Sequence, residues 1–333
     1  MKHLYLLGGL FLCLFFCACD KNDIFHSEWV LQPVDENLDN NSEYIVVIGD
    51  IQNYTDNKAY SEYYKETMCW IWSQYQQGVK IKCVLQLGDI TNSNARHQYE
   101  TFYECTIPVA NIIPYIACIG NHDYEWNADF KIEDRARTFF SEYTSFELTK
   151  SLIVDSFESG RMENIIVETS LNGRPYYILV LEFGARHEVI EWANSFVKRH
   201  PDKRFILMTH EYLARKGERV SADSYAELQL RNTTWSTPEK LWTDLIKDNN
   251  NIVCVLCGHN GFYGRKFSLN SHGRMVPQVL FNLQYQDHGG DGLIQLWEFP
   301  QNNDSVYIDI YHTIQRAWYR DEIFDRFSFR YIY

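Results

Sequence analysis

Residues 44–53 read YIVVIGDIQN. The apolar run at 45–48 is typical of a buried strand, and Gly49 and Asp50 follow it at once. A carboxylate in this place either caps the next helix or faces a crevice that several strand ends share. Gln52 is expected to point to the same face as Asp50, because residues two apart on extended backbone do so. The stretch therefore predicts an α/β fold with polar side chains at one edge of its sheet.

Four later apolar runs end in the same way, each followed by a residue whose side chain can bind a metal. The carboxyl ends of parallel strands meet at one edge of a sheet, so these side chains are expected to lie together. Taken singly, such residues also serve as helix caps, turn residues or satisfied core histidines. Together they form the mixed carboxylate, amide and imidazole set that pairs of divalent cations take. After Asp50, the endings are Asp89, Asn121-His122-Asp123, His210 and His259.

Between these endings, strand and helix patterns alternate. Helical patterns are predicted at 58–77, 95–110 and 129–143, and the last third of the chain reads as antiparallel strands joined by turns. Parallel βα units followed by hairpins predict one α/β domain, in which two mixed sheets pack together with helices outside.

The series of motifs resembles the calcineurin-like metallophosphoesterase superfamily. Its blocks lie between residues 49 and 259, and Gly-Asn-His-Asp at 120–123 is the most diagnostic of them. The resemblance implies a four-layer αββα sandwich of two mixed β-sheets flanked by helices, in agreement with the pattern of strands and helices. It also implies a phosphoric ester hydrolase that uses a water activated by two divalent ions, such as Mn, Fe or Zn.

The resemblance also assigns roles to single residues. Asp89 bridges the two ions, and Asn121 with two histidines completes the ligands of one of them. Asp50 binds the other ion, where Gln52 is a weaker ligand than a histidine. His122 matches the family's catalytic histidine, which stabilises phosphoryl charge and helps to protonate the departing oxygen. The implied metal ligands are Asp50, Gln52, Asp89, Asn121, His210 and His259.

Three positions depart from the family pattern. Gln52 stands where many members have a histidine ligand, and it resembles a minority branch with Asp-x-Gln. Gly261 stands where a Gly-His-x-His motif has its second histidine, which leaves the Asp50 side short of a ligand. Asn92 stands where an aspartate often orients the catalytic histidine. These departures keep open an alternative function, that of a catalytically decayed envelope lipoprotein acting as a binding module.

The tail of the chain offers candidates for the missing ligand. The stretch LQYQDHGGDG at 283–292 resembles the tail of an extracellular group and places Gln286, Asp287 and His288 in a glycine-flanked loop. An exposed loop histidine is the simpler interpretation of His288.

Residues beside the motifs are candidates for substrate contacts. Arg265 and Lys266 follow the last motif and would meet a substrate phosphate, unless they belong to a solvated face. Tyr124 and Trp126 follow the Gly-Asn-His-Asp motif and would stack on a base or sugar, unless they pack in the core.

The first residues form a targeting segment. A short basic start and an apolar stretch predict a lipoprotein signal peptide at 1–18, with a transmembrane anchor as the alternative. Cys17-Ala18-Cys19 resembles the end of a bacterial lipoprotein signal, which makes Cys19 the predicted lipidation site. Residues 19–43 are polar and aperiodic. They are predicted to tether a metallophosphoesterase domain at 44–333 to the cell envelope, on its periplasmic or surface face.

The charge of the chain limits its partners. A net charge of −13 at pH 7, without a run of Lys or Arg, argues against a nucleic-acid polymer. A small phosphorylated substrate remains compatible, because bound metal supplies local positive charge. The expected partners are therefore such a substrate and a membrane reached through the lipid anchor. The cysteines after Cys19 fit buried thiols better than a disulfide framework.

Overall fold

The structure is a computed structural model. The predicted signal peptide and the predicted lipidation site, Cys19, lie outside the residues that it describes. Among the described residues, no helix has both the length and the apolar character needed to cross a bilayer. The described residues are 29, 31–220, 229–230, 234–320 and 325–331.

The described strands form two seven-stranded sheets. In chain order they are β1 Glu43–Ile48, β2 Lys80–Gln86, β3 Tyr115–Ala117, β4 Ile153–Ser156, β5 Ile165–Leu171, β6 Arg174–Val180, β7 Arg204–Met208, β8 Ile252–Cys257, β9 Phe262–Leu269, β10 Met275–Asn282, β11 Leu293–Phe299, β12 Ser305–His312, β13 Ala317–Trp318 and β14 Phe327–Arg330. The first sheet has the order β13-β12-β11-β1-β2-β3, with β14 on β12. The second sheet has the order β4-β5-β6-β7-β8-β10-β9.

Helices cover the outer faces of both sheets. In chain order they are α1 Gln52–Asp56, α2 Lys58–Gln76, α3 Arg96–Ala110, α4 Phe140–Thr144, α5 Glu147–Lys150, α6 His187–Arg199, α7 Pro238–Leu241 and α8 Asp287–Gly290, with a 3₁₀ turn at Asn121–Asp123 and a π-helical turn at Trp242–Ile246 after α7. Helices α2 and α3 share a core with the first sheet, and α6 and α7 share a core with the second. The predicted four-layer αββα sandwich is confirmed.

Strand β6 shows why the second sheet is buried on both faces. Successive side chains of a strand point to opposite sides. Tyr176, Ile178 and Val180 accordingly join the core between the two sheets, and Tyr177 and Leu179 join the core under α6 and α7. A run without polar alternation is what a strand between two apolar layers requires.

The described part of the predicted tether lies on the folded body. Asp35 is buried, and its carboxylate accepts hydrogen bonds from Trp70 Nε1 on α2 and from the Tyr311 hydroxyl on β12. The Arg316 guanidinium lies 3.5 Å from the same carboxylate. Burial raises the pKa of Asp35, but the hydrogen bonds to its carboxylate outweigh burial and hold that pKa below its usual value. The chain is thus fixed to the domain several residues before β1 begins.

Residues 129–143, predicted as helical, form turns as far as Phe139, and the helix there is limited to α4. The Arg135 guanidinium is buried and donates to the carbonyl oxygens of Phe183 and Gly184, each at 2.7 Å. Backbone bonds also leave the segment, and Ile132 N donates to the Gln229 carbonyl oxygen at 2.8 Å instead of to a helical partner. A periodic pattern in the sequence does not show such partners, so this prediction was wrong.

Candidate active site

The predicted site residues lie behind the carboxyl ends of parallel strands in both sheets. In the first sheet β1, β2 and β3 are parallel, and in the second β6, β7, β8 and β10 are parallel. The two sets of ends meet at one edge of the sandwich, as the strand-end pattern predicts. Asp50, Asp89, Asn121, His210 and His259 follow β1, β2, β3, β7 and β8 in that order.

Glycines before the ligands allow this close approach. A Cβ at Gly258 would lie 2.5 Å from Asp50 Oδ1. A Cβ at Gly120 would overlap the carboxylate and the backbone nitrogen of Asp89. Gly120 and Gly258 thus make room for a carboxylate that follows another strand.

Asp89, Asn121 and two histidines form the first ligand group. Asp89 Oδ1 lies 3.2 Å from His210 Nε2, and Asn121 Oδ1 lies 3.2 Å from the same nitrogen. His259 Nδ1 lies 3.1 Å from it. The candidate ligand atoms of Asp89, His210 and His259 are all within 4.8 Å of one another. These donors suit a borderline divalent cation.

Neighbouring acceptors fix which nitrogen each imidazole turns to the centre. His210 Nδ1 donates to the Leu87 carbonyl oxygen at 2.7 Å, which leaves Nε2 for a cation. His259 turns Nδ1 inwards, and its Nε2 lies 3.7 Å from the Glu211 carboxylate. A carboxylate behind a metal-binding imidazole orients the ring and raises its basicity. Glu211 was not among the predicted site residues, and its one signal in the sequence is its place next to His210.

The same contacts shift the proton affinities of the group. Burial raises the pKa of Asp89, but His210 and His122 outweigh burial and hold that pKa well below its usual range. Burial lowers the pKa of His210, but Asp89 and Asp50 outweigh it and raise the pKa to about 10. Burial and the charge of His210 lower the pKa of His259 to about 3. A proton on His210 thus balances the buried carboxylates, which a bound cation also does.

Amide side chains contact the carboxylate on the Asp50 side of the centre. Asp50 Oδ2 accepts from Asn282 Nδ2 at 2.6 Å and from Gln284 Nε2 at 3.1 Å, and Oδ1 accepts from His259 N. Burial raises the pKa of the Asp50 carboxyl well above its usual value. Asn282 and Gln284 were not predicted as site residues. Their signal is that β10 also ends an apolar run in a polar residue, Asn282.

The hydrogen bonds of the Gln52 side chain indicate whether the site fits a cation. Its Nε2 donates to Asp89 Oδ2 at 3.2 Å, and the residue is only 4% exposed. Its Oε1 is buried and has no hydrogen-bond partner among the described residues. An unpaired buried carbonyl oxygen is costly unless something satisfies it. A divalent cation beside Asp89 would satisfy this oxygen, and the residues present therefore fit a bound metal.

His122 is oriented beside this centre in spite of the change at Asn92. His122 Nδ1 donates to the main-chain oxygen of Asn92 at 2.9 Å, and His122 N donates to Asp89 Oδ1 at 3.0 Å. The Asn92 side chain itself turns to Asp56. A backbone carbonyl thus takes the place of the aspartate that often orients this histidine. Trp126 lies against the imidazole, with 4.6 Å between ring centroids.

The other predicted residues are placed less centrally. Tyr124 is 1% exposed and packs in the core, so its predicted stacking on substrate was wrong, and Trp126 holds the aromatic position beside His122. Arg265 is on β9, an edge strand, where its guanidinium lies over the Phe327 ring at 4.8 Å. Lys266, next on the strand, is opposite Gln278 of β10.

Gly261 and the tail loop show how the missing histidine is accommodated. A Cβ at Gly261 would lie 2.6 Å from two ring atoms of Tyr285. His288, a candidate replacement, instead stacks on Tyr63 with 4.3 Å between ring centroids and lies 3.1 Å from Asp291. The tail therefore reaches the site at Asn282 and Gln284, before the residues that the sequence pattern indicated.

Comparison with known proteins agrees with this geometry. A sequence model of the calcineurin-like phosphoesterase family matches residues 43–270. The uncharacterized protein YvnB of Bacillus subtilis (strain 168) is 29% identical over 275 residues, which are 80% of this chain and 19% of that protein. The chain thus spans about a fifth of the length of that relative.

The solved structures that are similar to this chain have low sequence identity to it. The 5'-nucleotidase of Candida albicans SC5314 has a TM-score of 0.42 at 11% identity, over 77% of this chain and 48% of that one. The NAD nucleotidase (NadN) of Haemophilus influenzae has 0.40 at 11%, over 81% and 49%. A conserved uncharacterized protein (predicted phosphoesterase) from Streptococcus pneumoniae TIGR4 has 0.32 at 12%, over 86% and 98%. The family match contains every predicted strand-end ligand from Asp50 to His259, and the chain belongs to the calcineurin-like phosphoesterase family, a family of phosphoric ester hydrolases.

Proposed function

We propose that this protein hydrolyses a phosphomonoester or phosphodiester of a small molecule in a metal-dependent reaction. The observation that carries the proposal is the position of His122. Its backbone nitrogen is bonded to Asp89, the carboxylate shared by the ligand groups, and its ring is held by Asn92 O. A phosphoryl group bound at the centre would therefore lie next to a fixed imidazole.

Two divalent ions, of Mn, Fe, Zn or a similar metal, supply Lewis acidity and a water of lowered pKa when bound. Asp89, Asn121, His210 and His259 would hold one ion, and Asp50, Asp89 and Gln52 the other. Asp89 would thus belong to both.

In this proposal His122 donates the proton that the departing ester oxygen takes up. Hydrolysis forms a bond from water oxygen to phosphorus and breaks the bond from phosphorus to the ester oxygen. Because His122 Nδ1 donates to Asn92 O, its Nε2 remains to give a proton to the departing oxygen. The water proton is released to solvent, and His122 is reprotonated from solvent.

The competing proposal, a decayed binding module, is based on the departures at Gln52, Asn92 and Gly261. The geometry favours the enzyme, because Asn92 supplies a carbonyl to His122 and Gln52 keeps an unpaired oxygen in the centre. A module that only binds a ligand has no need of an imidazole held by a backbone carbonyl beside the ligand group.

Metal removal is expected to abolish turnover. Protein stripped with chelator should be inactive against a panel of mono- and diesters, and added Mn²⁺ should restore hydrolysis of at least one ester, because water activation depends on the cation. Phosphate or alcohol release is the measurement. Turnover by metal-free protein would contradict the metal requirement. An inert protein at saturating metal across the panel would favour the binding module.

We also propose that the protein is a cell-envelope lipoprotein anchored through Cys19. The signal-like segment and the Cys17-Ala18-Cys19 ending support this. In a bacterial host, Cys19→Ala should move the protein from the membrane to the soluble fraction, and Cys17→Ala should leave it on the membrane. More than one acyl chain is expected, since a single chain anchors weakly. A Cys19→Ala protein that still sediments with membranes would contradict lipidation at this residue.

A further inference from the structure

The Asp50 side of the centre differs in chemistry from the His210 side. The side chains that donate to Asp50 Oδ2 are amides, and a third amide, that of Gln52, donates to Asp89 Oδ2. Carboxylate and amide oxygens are ligands of hard cations such as Ca²⁺, Mg²⁺ and Mn²⁺. Two imidazoles, in contrast, make the other side unsuited to Ca²⁺.

Asn282 and Gln284 both contact Asp50, but their bonding differs. Asn282 Nδ2 donates to Asp50 Oδ2 and to the His259 carbonyl oxygen, and Asn282 Oδ1 accepts from Gln284 N. Both polar ends of Asn282 are therefore engaged, which makes it a positioning residue.

The Gln284 side chain reaches Asp50 through its amide nitrogen. Nε2 donates to Asp50 Oδ2, and the residue is only 6% exposed. A half-turn of its terminal torsion exchanges Nε2 for Oε1 beside Asp50. Such a turn suits the arrival of a cation, because an amide oxygen then replaces an amide nitrogen next to the charge.

The same short segment explains why no histidine is needed at Gly261. The Tyr285 ring occupies the space where a side chain at Gly261 would begin, since a Cβ there would lie 2.6 Å from the ring. Gln284 is the preceding residue, and its backbone nitrogen is held by Asn282 Oδ1. The segment 282–285 thus both closes the space over Gly261 and brings an amide to the Asp50 side.

We infer that Gln284 is the ligand that replaces the missing histidine. With Asp50, Asp89 and Gln52 it forms an all-oxygen site that accepts Ca²⁺ or Mn²⁺, whereas the two-imidazole side takes Zn²⁺ or a similar ion. The inference rests on the proposed function in one respect, that the centre holds two cations.

Calorimetric titration without substrate tests the inference. Protein loaded with one equivalent of Zn²⁺ should bind one Ca²⁺, or one Mn²⁺, without releasing Zn²⁺. Gln284→Leu should weaken that second binding step by about 10–100-fold, the range found when a group supporting a metal site is lost. Zn²⁺ content should stay the same, because Gln284 lies on the Asp50 side. Gln301→Leu, at an exposed position in the turn between β11 and β12, should bind the second ion as the unaltered protein does.

A charged variant separates a ligand from a hydrogen-bond donor. If Gln284 is a ligand, Gln284→Glu should tighten binding of Ca²⁺, because it adds an anionic oxygen at the site. If Gln284 only donates to Asp50 and does not reach the cation, the same change should not tighten binding, because the new carboxylate then takes up a proton or turns away from Asp50. Gln301→Glu carries the same charge change at an exposed position outside the site and should have little effect. Ca²⁺ binding that is not tightened in Gln284→Glu, or that is unchanged in Gln284→Leu, would overturn the inference.

Failure of the inference and failure of the proposed function give different results. Zn²⁺-loaded protein that takes up neither Ca²⁺ nor Mn²⁺ overturns the second site, and turnover of the ester panel still judges the hydrolase. Protein that binds both ions as expected but hydrolyses no ester leaves the site standing and overturns the hydrolase.

Discussion

Replacement of His122 by alanine is expected to lower turnover by about 10²–10⁴-fold, the usual contribution of a positioned general acid. The imidazole is held by Asn92 O and lies beside Asp89, so its loss removes the proton donor without removing a metal ligand. Metal content should therefore be unchanged, and the loss should appear in turnover. Steady-state kinetics with metal-saturated protein measures it.

The size of the loss should depend on the leaving group. Esters of acidic alcohols leave without protonation, so they should be hurt least, and esters of ordinary alcohols should be hurt most. His97→Ala, at an exposed position on α3, is the matched control and should retain full turnover. Equal losses across leaving groups would remove His122 from the acid role, and loss of metal from the variant would assign it to metal binding instead.

The strand ends were predictable because each carries its information locally. An apolar run followed by Gly and a ligand shows both the strand and the side chain behind it, as at Asp50, Asp89 and His259. Glycine is needed there because of contacts such as that between Gly258 and Asp50, which are themselves tertiary. The glycine in the local motif is therefore required by packing between strand ends. For this reason the motif predicted where these side chains meet as well as the fold.

Asn282 and Gln284 were missed because the sequence of a strand does not show whether it pairs parallel or antiparallel with its neighbours. The last third of the chain reads as antiparallel hairpins, and β10 does pair antiparallel with β9. It also pairs parallel with β8, and that pairing brings its carboxyl end to the same edge as His259. Asn282, at the end of an apolar run, lies in the site only because β10 pairs with β8, a strand from which β9 separates it in the sequence.

The sequence also did not show which of the two aromatic residues after the Gly-Asn-His-Asp motif would be buried. Tyr124 and Trp126 are two residues apart, and both lie close to His122 along the chain. The structure turns Tyr124 into the core, and Trp126 donates from Nε1 to Asn121 O at 2.8 Å beside the imidazole. Which of two neighbouring rings faces a site depends on the path of the backbone through a 3₁₀ turn, and no periodic pattern describes that path.

Replacement of Asp89 by asparagine is expected to have the broadest effect of any single change. Asp89 Oδ1 lies near His210 Nε2, and Oδ2 accepts from Gln52, so the one carboxylate contacts a side chain of each proposed ligand group. Its backbone has a φ of 50°, a left-handed conformation that asparagine tolerates, and the variant should therefore fold. We expect weaker binding of both cations and turnover lower by about 10³-fold or more, the upper end for loss of one electrostatic group.

Thermal unfolding measures the loss of metal independently of activity. A cation at about 100 times its Kd stabilises the folded protein by about 2.7 kcal/mol, so Mn²⁺ should raise the Tm of the unaltered protein. In Asp89→Asn that rise should shrink or vanish, and the Asp202→Asn control, at an exposed position, should keep it. A variant with the full metal-dependent rise in Tm would show that Asp89 is not shared between the ions. The carboxylate between Gln52 and His210 would then serve to order the protein side chains, and water activation would depend on the remaining ligands.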